Sequence, residues 1–260
     1  MSLRLGRAFV NGIRRVLTRT GAVLFVALLM LQLLVQTSIN TVVLGALPPE
    51  ATAQLDGQLG LTLPIPSGVA GALFVLALVL NAAFFIILVR GLTRPIGDLG
   101  TLPKALYTRR IGRATLSAIG GGIVVGIAVS VGFVFLILPG IFLAICFTFF
   151  PFEVGVGDDR AIAALKRSWA RSRGNRLRLA VLVILAGVIG AVIGAVGAVF
   201  DAARATVVGD VVANLLTTIL FVGLYGIIAD AYVQLREDGH GGFGGSGTVA
   251  PADDSAVPER

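Results

Sequence analysis

Residues 114–157 read ATLSAIGGGIVVGIAVSVGFVFLILPGIFLAICFTFFPFEVGVG, forty-four consecutive positions with a single charge, Glu153. A helix crosses a hydrocarbon layer of about 30 Å with roughly twenty apolar residues. This run is too long for one crossing and must fold back on itself. The expected helix break is Leu138-Pro139-Gly140, because proline lacks a backbone donor and glycine tolerates left-handed geometry. The turn carries no charge. It fits at the membrane surface, or below it if neighbouring helices or water satisfy its backbone.

Four more apolar runs flank this hairpin, and together they predict spans at about 21–44, 68–89, 114–138, 141–157, 179–200 and 211–235. The fold class expected is therefore all-α, a polytopic membrane helix bundle with cytoplasmic amphipathic basic helices. Residues 1–235 form a single integral membrane domain in this reading. The glycine-rich tail at 236–260 cannot bury a core and is expected to be disordered and cytoplasmic. The outer loop from Gly45 to Pro66, broken by four prolines, is too short for a domain.

Composition agrees. Hydrophobic residues make up 56% of the 260, charged residues only 13%, and mean hydropathy is +0.94. A soluble surface carries about twice that charge density. The five N-terminal arginines before an apolar run resemble a signal peptide, but the run is too long for a signal core.

Orientation follows from lysine and arginine. With the N-terminus inside, twenty of the twenty-one fall in cytoplasmic segments, and only Arg204 lies outside, among acids. The positive-inside rule then places both termini in the cytoplasm and the protein in the cell membrane. The net charge of +7 points to anionic lipid head groups on the cytoplasmic side, since the basic clusters adjoin apolar runs and carry few aromatics for stacking on bases. Nucleic acid is not an expected partner.

The three inner basic segments share a pattern: Ala8-Phe9 before Arg14-Arg15, Ala105-Leu106 before Arg109-Arg110, and Ala164-Leu165 before Lys166-Arg167. It fits a threefold repeat, or merely the common look of inner loops. In the third, Asp158 or Asp159 is placed to cap a helix with Ile162, Leu165 and Trp169 on one face. Arg160, Arg167 and Arg171 fall on the other. This describes a helix in the head-group plane, with Arg160, Arg167, Trp169 and Arg171 as candidate lipid contacts.

Catalytic chemistry is not expected. The one histidine, His240, sits in the tail, the one cysteine, Cys146, lies in an apolar run, and Gly120-Gly121-Gly122 lacks the lysine and hydroxyl of a phosphate cradle. No cofactor or metal is expected. Intramembrane polar candidates are Gln32, Gln36 and Asn40 in the first span, Glu153 and Asp230 near inner helix ends, and Asn214, Thr218 and Tyr225 in the last span. The two acids fit pairing with nearby arginines or a proton or ion relay, and the neutral residues a polar pathway or interhelical hydrogen bonding. Gly122 with Gly126 and Gly190 with Gly194 read as close helix contacts.

From Leu138 to about Leu185, the motifs Leu138-Pro139-Gly140-Ile141, Phe150-Pro151 with Glu153, Ala164-Leu165-Lys166-Arg167-Ser168-Trp169 and Arg173-Gly174-Asn175-Arg176 resemble the signature of YciC-like integral membrane proteins. They are similar also to the membrane domain attached to some glycerophosphodiester phosphodiesterases. The bias to arginine over lysine and the acidic tail look like a haloarchaeal member. The resemblance implies a membrane bundle without an enzyme, because the chain has neither the length nor the histidines of the phosphodiesterase domain. The function expected is a non-enzymatic membrane component, or alternatively a small-solute or lipid transporter subunit.

Overall fold

The computed structural model describes residues 5–48, 50 and 60–241. Residues 49 and 51–59 of the proline-rich loop and the tail beyond Gly241, where expectations were also stated, lie outside those residues. The described chain is helical and without strands: α1 (Leu5–Val16), α2 (Arg19–Ala46), α3 (Ser67–Leu92), α4 (Ala105–Thr108), α5 (Ile111–Phe135), α6 (Ile137–Phe147), α7 (Phe150–Gly155), α8 (Ala161–Ser172), α9 (Arg176–Ala202) and α10 (Thr206–Gly241). Six helical stretches are long and apolar enough to cross a membrane: α2, α3, α5, α6 with α7, α9, and α10 as far as Arg236. Each overlaps one of the six expected spans, with ends that differ by up to five residues. This is a multi-pass membrane bundle.

Two boundaries differ from expectation. The hairpin breaks at Leu136, which is extended (φ −164°, ψ 144°), and Pro139 and Gly140 lie inside the first turn of α6. A first turn makes no use of its N–H groups, so proline is accommodated there and the break precedes it. Gly140 serves the packing: a Cβ there would lie 2.6 Å from the Phe133 ring, and one on Gly132 would lie 2.9 Å from the Gly140 backbone. The hairpin closes backbone to backbone. At the other end of the chain, α10 runs on through Gly241, so residues 236–241 belong to a helix and not to the tail. Extending a formed helix fixes one residue per new hydrogen bond, with no further nucleation cost.

The core is concentrated at the end of the bundle where the basic segments gather. Phe149, Phe152, Leu88, Leu92, Leu179, Leu182 and Tyr232 are all buried there. Phe152 stacks on Tyr232 at 5.2 Å between ring centroids, and Phe149 lies 5.9 Å from the same ring. Toward the opposite end the helices turn Val75, Val124, Val134, Val188 and Val199 outward. Such a belt of exposed aliphatic side chains suits contact with lipid.

At that opposite end, the polar row of α2 is tied to the segment entering α3. The Asn40 side chain donates to Leu61 O at 3.1 Å and accepts from Gln36 at 3.1 Å; Leu63 N donates to Thr41 Oγ1 at 2.8 Å, and Leu61 N to Asp210 at 3.2 Å. Gln32 is half-buried two turns below Asn40. Replacing Asn40 with leucine should free residues 61–63 at a cost of about 1 kcal/mol, seen as at least fivefold faster amide exchange at Leu61 and Leu63. Unchanged exchange would remove Asn40 from this role.

Candidate functional site

Five segments far apart in sequence meet at the basic end, and arginine side chains join them. Arg90, at the last turn of α3 and 8% exposed, donates to Gly155 O at 2.7 Å, Arg109 O at 2.7 Å and Leu106 O at 3.3 Å, and pairs with Asp158 at 3.0 Å. The carbonyls it meets include the end of α7, where the helix leaves acceptors unsatisfied. Asp158 also pairs with Arg109, and its own carbonyl accepts from Arg113 at 2.8 Å. Asp158 is left-handed, at φ 54°, which presents carboxylate and carbonyl to different arginines.

Arg15 of α1 repeats the arrangement one layer away. Its guanidinium donates to Leu92 O at 2.8 Å and to Arg94 O, and pairs with Asp230 at 3.3 Å. Asp230 also accepts from Gln234 at 2.7 Å. Glu153, 1% exposed, accepts from Arg171 Nε at 2.6 Å, and the Arg171 guanidinium lies 4.9 Å over the Tyr232 ring. The two intramembrane acids are therefore each matched by a buried or half-buried arginine, which offsets the cost of withdrawing both charges from water.

Of the four predicted head-group contacts, three are engaged within the protein. Arg167 pairs with Asp159 at 2.7 Å and Arg171 with Glu153. Trp169 packs edge-on against Phe142 and tilted against Phe147, at 5.6 and 5.9 Å, with Arg176 over its ring at 5.3 Å. The buried face of α8 is the small-residue line Ala164, Ser168 and Ser172, and Ser168 donates to Cys146 O at 2.8 Å. Ile162, placed by periodicity with Leu165 and Trp169, is 71% exposed. Nor does Asp158 or Asp159 cap α8: its N-cap is Arg160, without a side-chain cap bond. Both carboxylates are held by arginines instead, because ion pairing to guanidinium is stronger than a single bond to an amide.

Arg160 alone of the four remains open, and it has unforeseen company. A groove of about 700 Å³ between the start of α5 and the start of α8 is lined by Arg113, Arg160 and Lys166, with Ser117 and the apolar Leu116 and Ile162. No acid lines it. Arg113 and Arg160 stand forty-seven positions apart, so no local pattern links them.

A second space lies within the bundle. It measures about 720 Å³, opens to the surface where Leu78, Gly122, Gly126 and Ser130 are exposed, and is lined by α3, α5, α6, α7, α9 and α10, with apolar walls interrupted by Asn81, Ser130, Thr148 and Tyr225. Gly122 and Gly126 form part of its wall, and a Cβ on either would meet nothing within 4 Å; the same is true of Gly190 and Gly194 on α9. The expectation that these pairs mark close helix contacts is corrected. They leave room. None of Gln32, Gln36, Asn40, Glu153 or Asp230 reaches this space. In α10, Asn214 and Thr218 donate to carbonyls one turn back in their own helix, at 2.8 and 2.7 Å, while Tyr225 faces the cavity.

A family model described as a domain of unknown function, DUF7847, matches residues 3–235. The chain belongs to the DUF7847 family. The match takes in all six membrane-length helices and every residue of the network, groove and cavity, so these are features of this chain's DUF7847 domain. No curated protein and no solved structure matches the chain.

Proposed function

We propose that this DUF7847 protein is a non-enzymatic component of the cell membrane, with both termini in the cytoplasm, that holds an anionic lipid head group at its inner face. The observation that carries the reading is the groove of Arg113, Arg160 and Lys166. Three cations converge there without an acid, beside Leu116 and Ile162, which are 73% and 71% exposed. Phosphate above and an acyl chain below match that pairing of charge and apolar surface. The positive-inside rule supports the orientation, and the resemblance of residues 138–185 to YciC-like proteins supports a bundle without catalysis.

The transporter alternative required Gln32, Gln36, Asn40, Glu153 or Asp230 around a shared hydrated cavity. Gln36 and Asn40 are used in tying down a loop, and Glu153 and Asp230 in ion pairs. A structural role for these side chains is the better account.

The test is lipid retention by native mass spectrometry, on full-length protein purified with phosphatidylglycerol or phosphatidylcholine. Each cation near an anionic head group contributes about 1 kcal/mol. The triple variant Arg113→Gln, Arg160→Gln, Lys166→Gln should therefore lose phosphatidylglycerol retention by at least about tenfold. Arg167→Gln, removed from its pair with Asp159, should retain it. Equal retention by wild type and triple variant would overturn the reading.

A further inference from the structure

We propose that the intramembrane cavity is a binding site for a neutral lipid-class ligand, an apolar chain bearing one oxygen function at mid-membrane depth. The proposal is independent of the inner-face groove, from which the cavity differs in position, lining and charge.

Size and shape come first. Along α5 the lining runs from Ala118 to Ser130, twelve helical steps or about 18 Å. A cavity of about 720 Å³ drawn out over that length takes one extended or branched chain. The space exists because small residues stand where large ones would close it. Gly122, Gly126, Ala144 and Ala186 are all in the wall, and a side chain at Gly122 or Gly126 would meet open space. Glycine lowers helix stability by up to about 1 kcal/mol relative to alanine, so glycines that touch nothing need another reason for being there.

The polar groups decide the ligand's chemistry. Asn81 stands at the middle of α3, and among the described residues its amide makes no hydrogen bond. Nor does the hydroxyl of Tyr225, whose ring packs edge-on against Phe85 at 4.9 Å and tilted against Phe221 at 4.5 Å. Phe85 is one helical turn from Asn81 toward the basic end, and the Tyr225 ring lies also against Phe152 at 6.1 Å, so Asn81 is the polar group nearer mid-membrane. Thr148 differs: its hydroxyl donates to Ala144 O at 2.9 Å. An unsatisfied amide in hydrocarbon costs several kcal/mol. A plain acyl chain would leave that cost in place, whereas a carbonyl, ether or hydroxyl oxygen at this depth accepts from Asn81. No charged side chain lines the cavity, which selects against an ionised head group.

The single tryptophan of the chain, Trp169, reports on the site, since it contacts the lining residue Phe147 at 5.9 Å. The experiment titrates a chain-brominated, symmetrical long-chain ketone into nanodiscs holding the full chain, with the matching bromoalkane as comparison, and reads quenching of Trp169. The ketone should quench saturably and about tenfold more tightly than the alkane, the gain of one buried hydrogen bond to a neutral group. Gly122→Leu with Gly126→Leu should abolish saturable quenching at unchanged melting temperature. Asn81→Leu, which fills similar volume, should erase the ketone's advantage while alkane quenching persists. Non-saturable quenching that follows the membrane mole fraction and is the same in wild type and both variants would overturn the proposal. So would equal affinity for ketone and alkane in the wild type.

Discussion

Arg90→Met should destabilise the bundle by about 3–5 kcal/mol, the usual consequence of removing one partner of a buried charged pair. The side chain is 8% exposed and meets four acceptors, the carbonyls of Gly155, Leu106 and Arg109 and the carboxylate of Asp158. Methionine fills a similar volume and satisfies none of them. Three elements then lose their common tie: the end of α3, the end of α7 and the short α4. Arg90→Lys should fall between, since a single ammonium cannot reach a fork of acceptors in these directions. Asp158→Asn separates charge from backbone, because asparagine also tolerates the left-handed conformation at φ 54°. Reversible unfolding by SDS in mixed micelles measures all three. A loss under about 1 kcal/mol for Arg90→Met would mean that water or lipid head groups replace the guanidinium, and the staple would then be incidental.

Gly226→Leu should be the other severe change, and it acts by sterics alone. Helix α1 lies across the C-terminal half of α10 with glycine opposite glycine. A Cβ at Gly226 would stand 2.7 Å from Gly12 O, and one at Gly12 would stand 2.6 Å from Ile227 N. The obstruction in both cases is backbone, which cannot rotate away, so α1 must lift off. Overpacking commonly costs about 1–3 kcal/mol, and lifting α1 also withdraws Arg15 from Asp230 and from the end of α3. Faster exchange at Ala8 and Gly12, with earlier SDS unfolding, should follow. Gly194→Ala supplies the contrast, since a Cβ there meets nothing within 4 Å. It should leave stability unchanged or raise it by up to about 1 kcal/mol through helix propensity. If both substitutions behave alike, packing of α1 on α10 is not what Gly226 serves.

These contrasts show what a pattern of residues conveys and what it conceals. Small-xxx-small spacing marked Gly122, Gly126, Gly190 and Gly194, yet none of them touches another helix. Gly226 carries a tight contact and stands in no such motif, while its partner Gly12 follows the buried Ala8 at that spacing and was not singled out. Helical periodicity set Trp169 and Leu165 on one side of α8, but the buried line is Ala164, Ser168 and Ser172, because small residues permit the closest approach to α6 and α7. Arg171, expected as a head-group contact on the other face, turns inward to Glu153, since a long side chain crosses from one side of a helix to the other at small cost.

The number of membrane helices, their order and their approximate ends follow from the sequence by itself. Crossing about 30 Å of hydrocarbon with every backbone group satisfied is a local requirement, met by about twenty consecutive apolar residues and read without knowing any neighbour. The clustering of lysine and arginine between alternate spans is legible for the same reason. Which arginines are spent on Asp158, Asp230 and Glu153, and which cations line the groove at Arg113, Arg160 and Lys166, was decided only by tertiary structure. So was the cavity beside Asn81. Pairing and empty space are relations between residues tens to hundreds of positions apart, and they come into being only when the helices pack.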